Sequence, residues 1–397
     1  MLCYDQIRST PMCRDRTDTA IARPPPSLAG RQMQLKTLLL SADSATKRIV
    51  WVDNAKALLI VLVVLGHFAA LWYRVKTIDY AFHLPAFLFL TGFMLSSRLE
   101  ATTFRDFLGK YVFPFARLYA VVSVFSIIIW IVLRRKFHVE IDSVLTAIWQ
   151  SIYGTQADGD RFLHENGPIW YLPFLVSTFL VLYATMRLPT LARIPVFIAL
   201  FLFTTNYSGP RLPWALDATG VGLAFVGAGL LFRRSLEGPV GRIEIQRWML
   251  VPIGVVAALA MAVLALKNGT ANINIMEFGR NNLIYLLAAF LGTTAVAALC
   301  LLVPRTKLAD LLSTHSLVIF CIHIYAVKEL KGPLGMVPWP AKQLALPFIA
   351  LAIAIVCALI SVAIMPALER YVMRRPRGKP VVQPPADSKS SMSAIKP

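Results

Sequence analysis

The chain contains few charged residues for its length. Charged side chains make up 15% of the 397 residues, whereas hydrophobic residues make up 57%. About a quarter of the residues in a soluble protein are charged, so this composition excludes a soluble enzyme with a single membrane anchor. The apolar segments are long and continuous, which predicts membrane-spanning helices and excludes the alternating strands of a barrel.

Cysteine is also scarce, and several chemical motifs are missing. Three of the five cysteines, Cys300, Cys321 and Cys357, lie in apolar runs, where small buried thiols are common. No Cys-x-x-Cys pair or Cys/His metal spacing is present, so we predict no disulfide framework, no metal site and no bound cofactor. The sequence lacks a Gly-x-Ser-x-Gly elbow, which leaves a hydrolase pair of Ser316 with His323 weakly supported. It also lacks the internal repeat that is typical of many transporters.

Acidic residues are outnumbered by basic ones, 21 against 40, which gives a formal charge of +19. The basic residues are not gathered on one soluble domain, so we exclude a nucleic-acid partner. They lie mainly in the two termini and in short loops between apolar runs, where topology signals are found. Residues 1–48 and 371–397 are polar and basic and are predicted to be disordered, on either side of a membrane domain over 49–370.

The membrane domain contains ten apolar runs and is therefore predicted to be an all-α polytopic membrane protein of about ten transmembrane helices. The runs are 50–73, 80–97, 111–133, 168–187, 191–206, 214–232, 248–266, 280–303, 311–327 and 343–365. Ten crossings put both termini on one side, and the basic residues of the termini predict that this side is the cytoplasm. We expect a multi-pass protein of the inner (plasma) membrane.

The first run carries three ionisable residues, Asp53, Lys56 and His67. Ionisable groups inside a spanning helix are costly, so a functional role is the default hypothesis. His67 follows Lys56 by eleven residues. That is almost three helical turns, which places both side chains on one stripe, roughly 16 Å apart along the axis. Asp53 lies three residues before Lys56 and is predicted to pair with it. On the predicted topology, Lys56 is cytoplasmic and His67 lies toward the outer leaflet.

These residues allow two interpretations each. A neutral imidazole in a membrane cavity suits a general base, so His67 is a catalytic candidate; the alternative is a hydrogen bond between helices. His83, near the outer end of the second run, is predicted to share a cavity with His67, or else to be an interfacial histidine. Asp53 and Lys56 either serve the phosphates of a cytoplasmic donor or extend to the membrane interface.

Five further residues are candidates for substrate or donor binding. Lys110 and Arg117 lie at the start of the third run, where Arg117 either binds a phosphate bidentately or extends to the interface. Trp170, in an Asn-Gly-Pro-Ile-Trp-Tyr-Leu segment, is either an ordinary interfacial aromatic or a wall for a sugar. Asp217 occupies a similar place at the start of the sixth run, and His323 lies inside the ninth.

Taken in order, these motifs resemble the membrane acyltransferase family called acyltransferase-3, and within it the fucose 4-O-acetyltransferase-like group. That family begins with an Asp, a basic residue three positions later and a His eleven positions after that, a pattern that Asp53, Lys56 and His67 match without a gap. The Phe-His-Leu-Pro segment around His83 matches the next motif, in which Thr91 replaces the usual Ser. The later motifs follow in the expected order, so the resemblance covers about 50–370.

The resemblance implies a fold of about ten helices that transfers an acyl group, usually acetyl, from cytoplasmic acetyl-CoA to a hydroxyl of a cell-surface or exported carbohydrate. We predict that His67 and His83 are catalytic. The predicted substrate- and donor-binding residues are Asp53, Lys56, Lys110, Arg117, Trp170, Asp217 and His323. The predicted partners are acyl-CoA, a carbohydrate acceptor and the lipid bilayer. The alternative is a membrane transporter or exporter that uses the Lys/His stripe as a substrate or proton path.

Overall fold

The computed structural model describes residues 32–43, 48–95, 99–136, 144–155 and 166–371, which are almost entirely helical. The α-helices in these residues are α1 Leu35–Leu40, α2 Val50–Gly66, α3 Tyr73–Phe93, α4 Phe104–Phe107, α5 Phe113–Lys136, α6 Val144–Tyr153, α7 Tyr171–Met186, α8 Thr190–Asn206, α9 Thr219–Ser235, α10 Leu250–Asn268, α11 Asn282–Leu302, α12 Lys307–Glu329, α13 Lys331–Gly335 and α14 Trp339–Tyr371. Most of the predicted leader and nearly all of the predicted tail lie outside the described residues.

Ten of these helices, α2, α3, α5 and α7 to α12 together with α14, correspond one to one to the ten apolar runs. Within the described part of the chain, seven helices are long and apolar enough to cross a membrane. They are Phe104–Val132, Gly167–Met186, Pro213–Ser235, Arg247–Asn268, Asn282–Leu302, Lys307–Glu329 and Trp339–Leu368. The chain is therefore an all-α polytopic membrane protein, as predicted. The number of ten crossings and the cytoplasmic termini remain predictions.

The strands are short and connect distant parts of the chain. Strand β1, Gln32–Gln34, pairs antiparallel with β2, Glu244–Gln246, and β3, Ala271–Asn272, pairs antiparallel with β4, Glu277–Phe278. Strand β1 and helix α1 lie within the leader that the sequence analysis predicts to be disordered. They are ordered because they dock on the bundle: the indole N–H of Trp51 donates to the carbonyl of Leu39 at 2.9 Å.

Helix α2 lies at the centre of the bundle. It packs against α12, α14, α3 and α11, and most of its side chains are buried, including the polar Asp53 and Asn54. A helix that is apolar on all sides is stable only when it is surrounded, and the sequence of α2 meets that condition apart from its few polar residues. Those polar residues therefore face other helices.

Helices α3 and α9 pack closely because each has a glycine at the contact. A Cβ atom on Gly92 would overlap the backbone carbonyl of Val226, and one on Gly229 would overlap that of Phe89. Small residues at helix interfaces in membranes let the backbones approach in this way. The contact fixes the position of α3, which carries His83.

The segment after α3 is tied to α8 and α9 by an acidic residue. The Glu100 carboxylate accepts a hydrogen bond from Arg193 at 2.8 Å and two from Arg234 at 2.6 and 2.7 Å. Partial burial opposes ionisation of Glu100, but the hydrogen bonds and charges of the arginines dominate and lower its pKa below the ordinary value. Both arginines are therefore engaged in holding the bundle together.

Two helix boundaries near His67 differ from the sequence prediction. The first run was expected to continue as helix to residue 73, but α2 ends at Gly66 and His67 is its C-cap residue. Glycine is a poor helix former. The next hydrogen bonds join residues three positions apart instead of four: His67 N–H donates to the Val64 carbonyl, and Phe68 N–H donates to the Leu65 carbonyl. The chain reverses there, so α3 begins at Tyr73, seven residues before the predicted start at 80.

Candidate active site

A pocket lies where α2 ends, and both predicted catalytic histidines line it. The cavity itself has a volume of about 70 Å³, within about 540 Å³ of space between atoms that includes open solvent. Its walls come from α2, α3, α7, α12, the turn before α7 and the segment that joins β3 to β4. The residues that line it include His67, Tyr80, His83, Trp170, Tyr171 and Asn274. The expectation that His67 and His83 share one cavity is therefore met by the geometry.

His67 contacts a second histidine from a distant helix. Its Nδ1–H donates to the Val63 carbonyl at 2.7 Å, and the same Nδ1 lies 3.4 Å from Nε2 of His323. The two rings meet edge to face with centroids 4.9 Å apart. His323 is fully buried in α12, where its own Nδ1 donates to the carbonyls of Ile319 and Phe320 at 3.1 and 2.9 Å. The structure thus brings His323 directly to the predicted base.

His83 is buried one helical turn after an aspartate that the sequence analysis did not identify. Its Nδ1 lies 2.8 Å from the backbone carbonyl of Asp79 and 3.3 Å from the Asp79 Oδ1 atom. The ring of Tyr80 lies edge to face with it, at a centroid distance of 5.2 Å. Asp79 was overlooked because the second run was placed from residue 80, one position too late to include it.

The rings of the three histidines are held by the main chain in the same way. In each ring, Nδ1 faces the backbone carbonyl of a residue one turn earlier, and a carbonyl can only accept a hydrogen bond. This network assigns the hydrogen to Nδ1 and, in a neutral ring, leaves the lone pair on Nε2. A pocket histidine is thus held by the main chain with its basic nitrogen available for proton transfer. No group of three or more His, Cys, Asp or Glu side chains among the described residues is arranged to hold a metal ion.

Trp170 forms part of the pocket wall. It ends the 3₁₀ turn Gly167–Trp170 that leads into α7, and its ring packs on Phe174 at a centroid distance of 5.2 Å. The turn is fixed to α12 because the side-chain amide of Asn166 donates to the Cys321 carbonyl at 2.7 Å. The indole is buried in protein, so it is placed as a wall of the cavity and not as an interfacial aromatic.

Comparison with protein-family models identifies the family of the chain that forms this pocket. The model of the acyltransferase-3 family, described as an acyltransferase domain, matches residues 49–365. The chain belongs to the acyltransferase-3 family. No curated protein and no solved structure matches it. The family supports a membrane acyltransferase and does not favour the transporter alternative, whereas the fucose 4-O-acetyltransferase-like subgroup remains a prediction.

Asp217 lies outside the pocket of this acyltransferase-3 protein. It is fully buried and forms an ion pair with Arg211, whose guanidinium also donates to the backbone carbonyl of Asn274 in the pocket wall. Asp217 is therefore connected to the pocket wall through Arg211 and does not itself line the pocket. The residues before it are also unusual, since Trp214 and Ala215 both adopt left-handed backbone angles, with φ of 55° and 50°.

At the opposite end of α2, Asp53 has a different partner from the one predicted. Its carboxylate accepts from the Arg48 guanidinium at 2.8 and 3.0 Å and from the Ser313 hydroxyl at 2.6 Å. No hydrogen bond or ion pair joins Lys56 to another described residue, so the Asp53–Lys56 contact that the spacing allows is not formed, although the Asp53 charge still acts on the Lys56 ammonium. Arg48 was assigned to the leader, and only the folded chain shows that it reaches Asp53.

Lys110 and Arg117 are both exposed and neither lines the pocket. The Lys110 ammonium lies 5.0 Å from the ring centroid of Tyr111, and the Arg117 guanidinium lies 5.8 Å from that of Phe113. Lys110 belongs to a π-helical turn, Leu108–Val112, that leads into α5. The structure therefore does not bring these two residues together with the histidines, and their part in donor binding remains a prediction.

Proposed function

We propose that this protein is an O-acyltransferase of the plasma membrane that moves an acyl group, acetyl in the first instance, from a cytoplasmic acyl-CoA to a hydroxyl of a cell-surface or exported carbohydrate. The observation that carries the proposal is the pocket in which His67 and His83 meet beside aromatic walls. Acyl transfer to a hydroxyl needs a base at the attacking oxygen, and a sugar ring packs well against aromatic faces.

His67 is the proposed base. Its ring is fixed by the Val63 carbonyl and by His323, so the Nε2 lone pair is held in a defined direction. Nε2 would take the proton of the acceptor hydroxyl as that oxygen attacks the carbonyl carbon of the thioester. Trp170 and Tyr171 would support the acceptor sugar from the α7 side. Holding the reactants in this way lowers the entropic part of the barrier.

The donor would approach along α2 from the end that carries Lys56. Lys56 lies on α2 and His67 is its C-cap residue, eleven positions later, which is roughly 16 Å along the axis of an ideal helix. The extended arm of an acyl-CoA would run in the direction of this axis, with a phosphate near the Lys56 ammonium and the thioester near His67. Lys56 suits this role because its ammonium is not committed to an ion pair with any described residue, whereas Asp53 is occupied by Arg48 and Ser313.

The test of the function compares surface and exported glycans from wild-type cells, deletion cells and deletion cells that carry the gene on a plasmid. Mass spectrometry should show glycan species that are heavier by the mass of one acyl group. These species should be lost on deletion and restored by the plasmid. Glycans that are identical in all three strains would contradict the proposal. Uptake or export of an unmodified substrate by vesicles without coenzyme A would support the transporter alternative instead.

Replacing Lys56 with alanine is expected to raise the KM for acetyl-CoA by about tenfold or more while changing kcat less, because a phosphate contact made in both ground and transition states is removed. The measurement is the release of free thiol from acetyl-CoA by the purified full chain, with glycan from deletion cells as acceptor. Lys307→Ala is the matched control, since Lys307 is an exposed lysine at the start of α12. An equal effect of both substitutions would contradict a specific role for Lys56.

A further inference from the structure

The carboxylate of Asp79 is a buried polar group next to His83 in the pocket. Asp79 is 3% exposed, and neither of its carboxylate oxygens accepts a hydrogen bond of good geometry from the described residues. A buried carboxylate without compensation is costly, so a positive charge nearby would stabilise it. The nearest ionisable nitrogen is Nδ1 of His83, at 3.3 Å from Oδ1.

The two pocket histidines therefore have different surroundings. His83 faces a carboxylate, which favours a positive charge on its ring. The hydrogen-bond partners of His67 are the Val63 carbonyl and the neutral ring of His323, and neither is an anion. When the surroundings favour the protonated form of one titratable group in a site and the neutral form of another, the first is suited to act as the acid and the second as the base.

We propose that Asp79 is a positioning residue that holds His83 as an imidazolium, so that His83 donates a hydrogen bond from Nε2–H to the oxyanion of the acyl-transfer intermediate while His67 acts as the base. This inference rests on the proposed acyl transfer and assigns the division of labour within its pocket. Asp79 does not touch the substrate, and its effect passes through the ring of His83.

The acceptor hydroxyl oxygen attacks the thioester carbonyl carbon, a C–O bond forms, and the hydroxyl proton moves to Nε2 of His67. The carbonyl electron pair moves to oxygen, where it is stabilised by the Nε2–H of His83. When the C=O bond re-forms, the C–S bond breaks and the leaving thiolate takes the proton from His67. The products are an ester and a thiol, and His67, His83 and Asp79 end in their starting states.

Gly66 is the second observation that connects Asp79 to the site. A Cβ atom built on Gly66 would lie 2.6 Å from Asp79 Oδ2 and 2.9 Å from a ring carbon of Tyr80. The Tyr80 hydroxyl also donates to the Gly66 carbonyl at 3.2 Å. The end of α2 therefore has room for the Asp79 carboxylate only because the residue before His67 has no side chain.

Several other charged or titratable groups surround this pair and enter its pH dependence. In the described residues they are Lys76, Tyr80, His67, Tyr171 and His323, with Arg211 bound to Asp217 and reaching the wall at Asn274. Lys76 is the other nearby cation, but its ammonium lies over the Tyr80 ring, 5.4 Å from the centroid. His83 remains the cation in direct contact with the Asp79 carboxylate.

The first test is a double-mutant cycle of Asp79→Asn and His83→Ala in the purified full chain, with acetyl-CoA as donor and glycan from deletion cells as acceptor. Loss of one oxyanion donor costs on the order of 10²-fold in kcat, so each single variant should fall by about that factor with little change in KM. Asp79→Asn in the His83→Ala background should have no further effect, within about twofold. The alkaline decline of activity should move to lower pH in Asp79→Asn, because His83 then loses its proton more easily.

The inference would be overturned if the fold reductions in kcat of the two single variants multiply in the double variant. An unchanged pH profile in Asp79→Asn would overturn it as well. Those results, with an active wild type, would leave acyl transfer itself in place. A wild-type protein that transfers no acyl group would instead refute the proposed function. The amount of each variant in the membrane and its melting temperature are measured alongside, so that a loss of folded protein is separated from a loss of rate.

A second variant reaches the same carboxylate without removing it. Gly66→Ala should displace the Asp79 side chain and reproduce the lower kcat and the shifted alkaline limb. Gly335→Ala is the matched control, since a Cβ atom at Gly335 meets no other atom within 4 Å. If Asp79→Asn does not reach the membrane, the comparison of Gly66→Ala with Gly335→Ala tests whether Asp79 acts on His83. Gly66→Ala with a wild-type kcat and pH profile would overturn the inference.

Discussion

Replacing His67 with alanine should reduce acyl transfer by about 10²–10⁴-fold, the usual contribution of a positioned general base, while the protein reaches the membrane in normal amounts. The substitution removes the proposed proton acceptor and leaves a cavity lined by Val63 and His323. The reaction is then left with only the binding and electrostatic contributions of the pocket. The measurements are thiol release from acetyl-CoA by the purified protein and the acyl content of glycans from complemented cells.

His315→Ala provides a matched histidine substitution in the same bundle. His315 lies on α12 two turns before His323, and its Nδ1 contacts the Ser361 hydroxyl at 2.8 Å, away from the pocket. It should therefore retain activity close to that of the wild type. A His67→Ala protein that acylates glycan at the wild-type rate would remove His67 from the role of base.

Asp217→Ala is expected to have the largest effect on stability. It would leave the Arg211 guanidinium largely buried without its carboxylate, and breaking a buried ion pair from one side costs about 3–5 kcal/mol. The wall that Arg211 fixes through the Asn274 carbonyl should loosen as well, so that activity falls together with stability. Thermal unfolding of the detergent-solubilised protein, followed by size-exclusion chromatography with fluorescence detection, measures the first effect.

An exposed pair of the same type is the control for this substitution. Arg305 and Asp310 contact each other at 2.9 Å with side chains that are 33% and 26% exposed, so Asp310→Ala should change the melting temperature far less. Replacing both buried partners, Arg211→Met with Asp217→Leu, should recover part of the lost stability, because no unpaired charge remains. A stable Asp217→Ala protein with a raised KM for the glycan would instead favour direct substrate binding by Asp217.

The sequence predicts the helical elements well, because a long apolar run in a membrane must form its backbone hydrogen bonds internally, as a helix does. Each of the ten runs corresponds to a long helix. Lys56 lies on α2 and His67 is the C-cap residue of that helix. The prediction that His83 approaches His67 succeeds for the same reason, since consecutive helices joined by a short turn are neighbours. These features depend on local sequence.

The remaining features depend on the geometry of turns or on small shifts of a boundary. Arg48 is the partner of Asp53 from only five positions away, and it falls in the predicted leader because the apolar run begins two residues after it. Arg211 reaches Asp217 only through the left-handed turn at Trp214 and Ala215. Asp79 lies one residue before the second apolar run and is therefore absent from it. A run begins where hydropathy rises, whereas a helix can begin earlier, among polar residues, as α3 does at Tyr73.

The contact between His67 and His323 also has a consequence for biosynthesis. The two residues are separated by 256 positions in the chain. At a synthesis rate of about 5–20 residues per second, α2 emerges from the ribosome on the order of tens of seconds before α12 does. During that interval His67 and Asp53 have neither His323 nor Ser313 as a partner. The nascent protein must therefore keep polar groups of its first long helix beside water or the insertion machinery until its ninth long helix arrives.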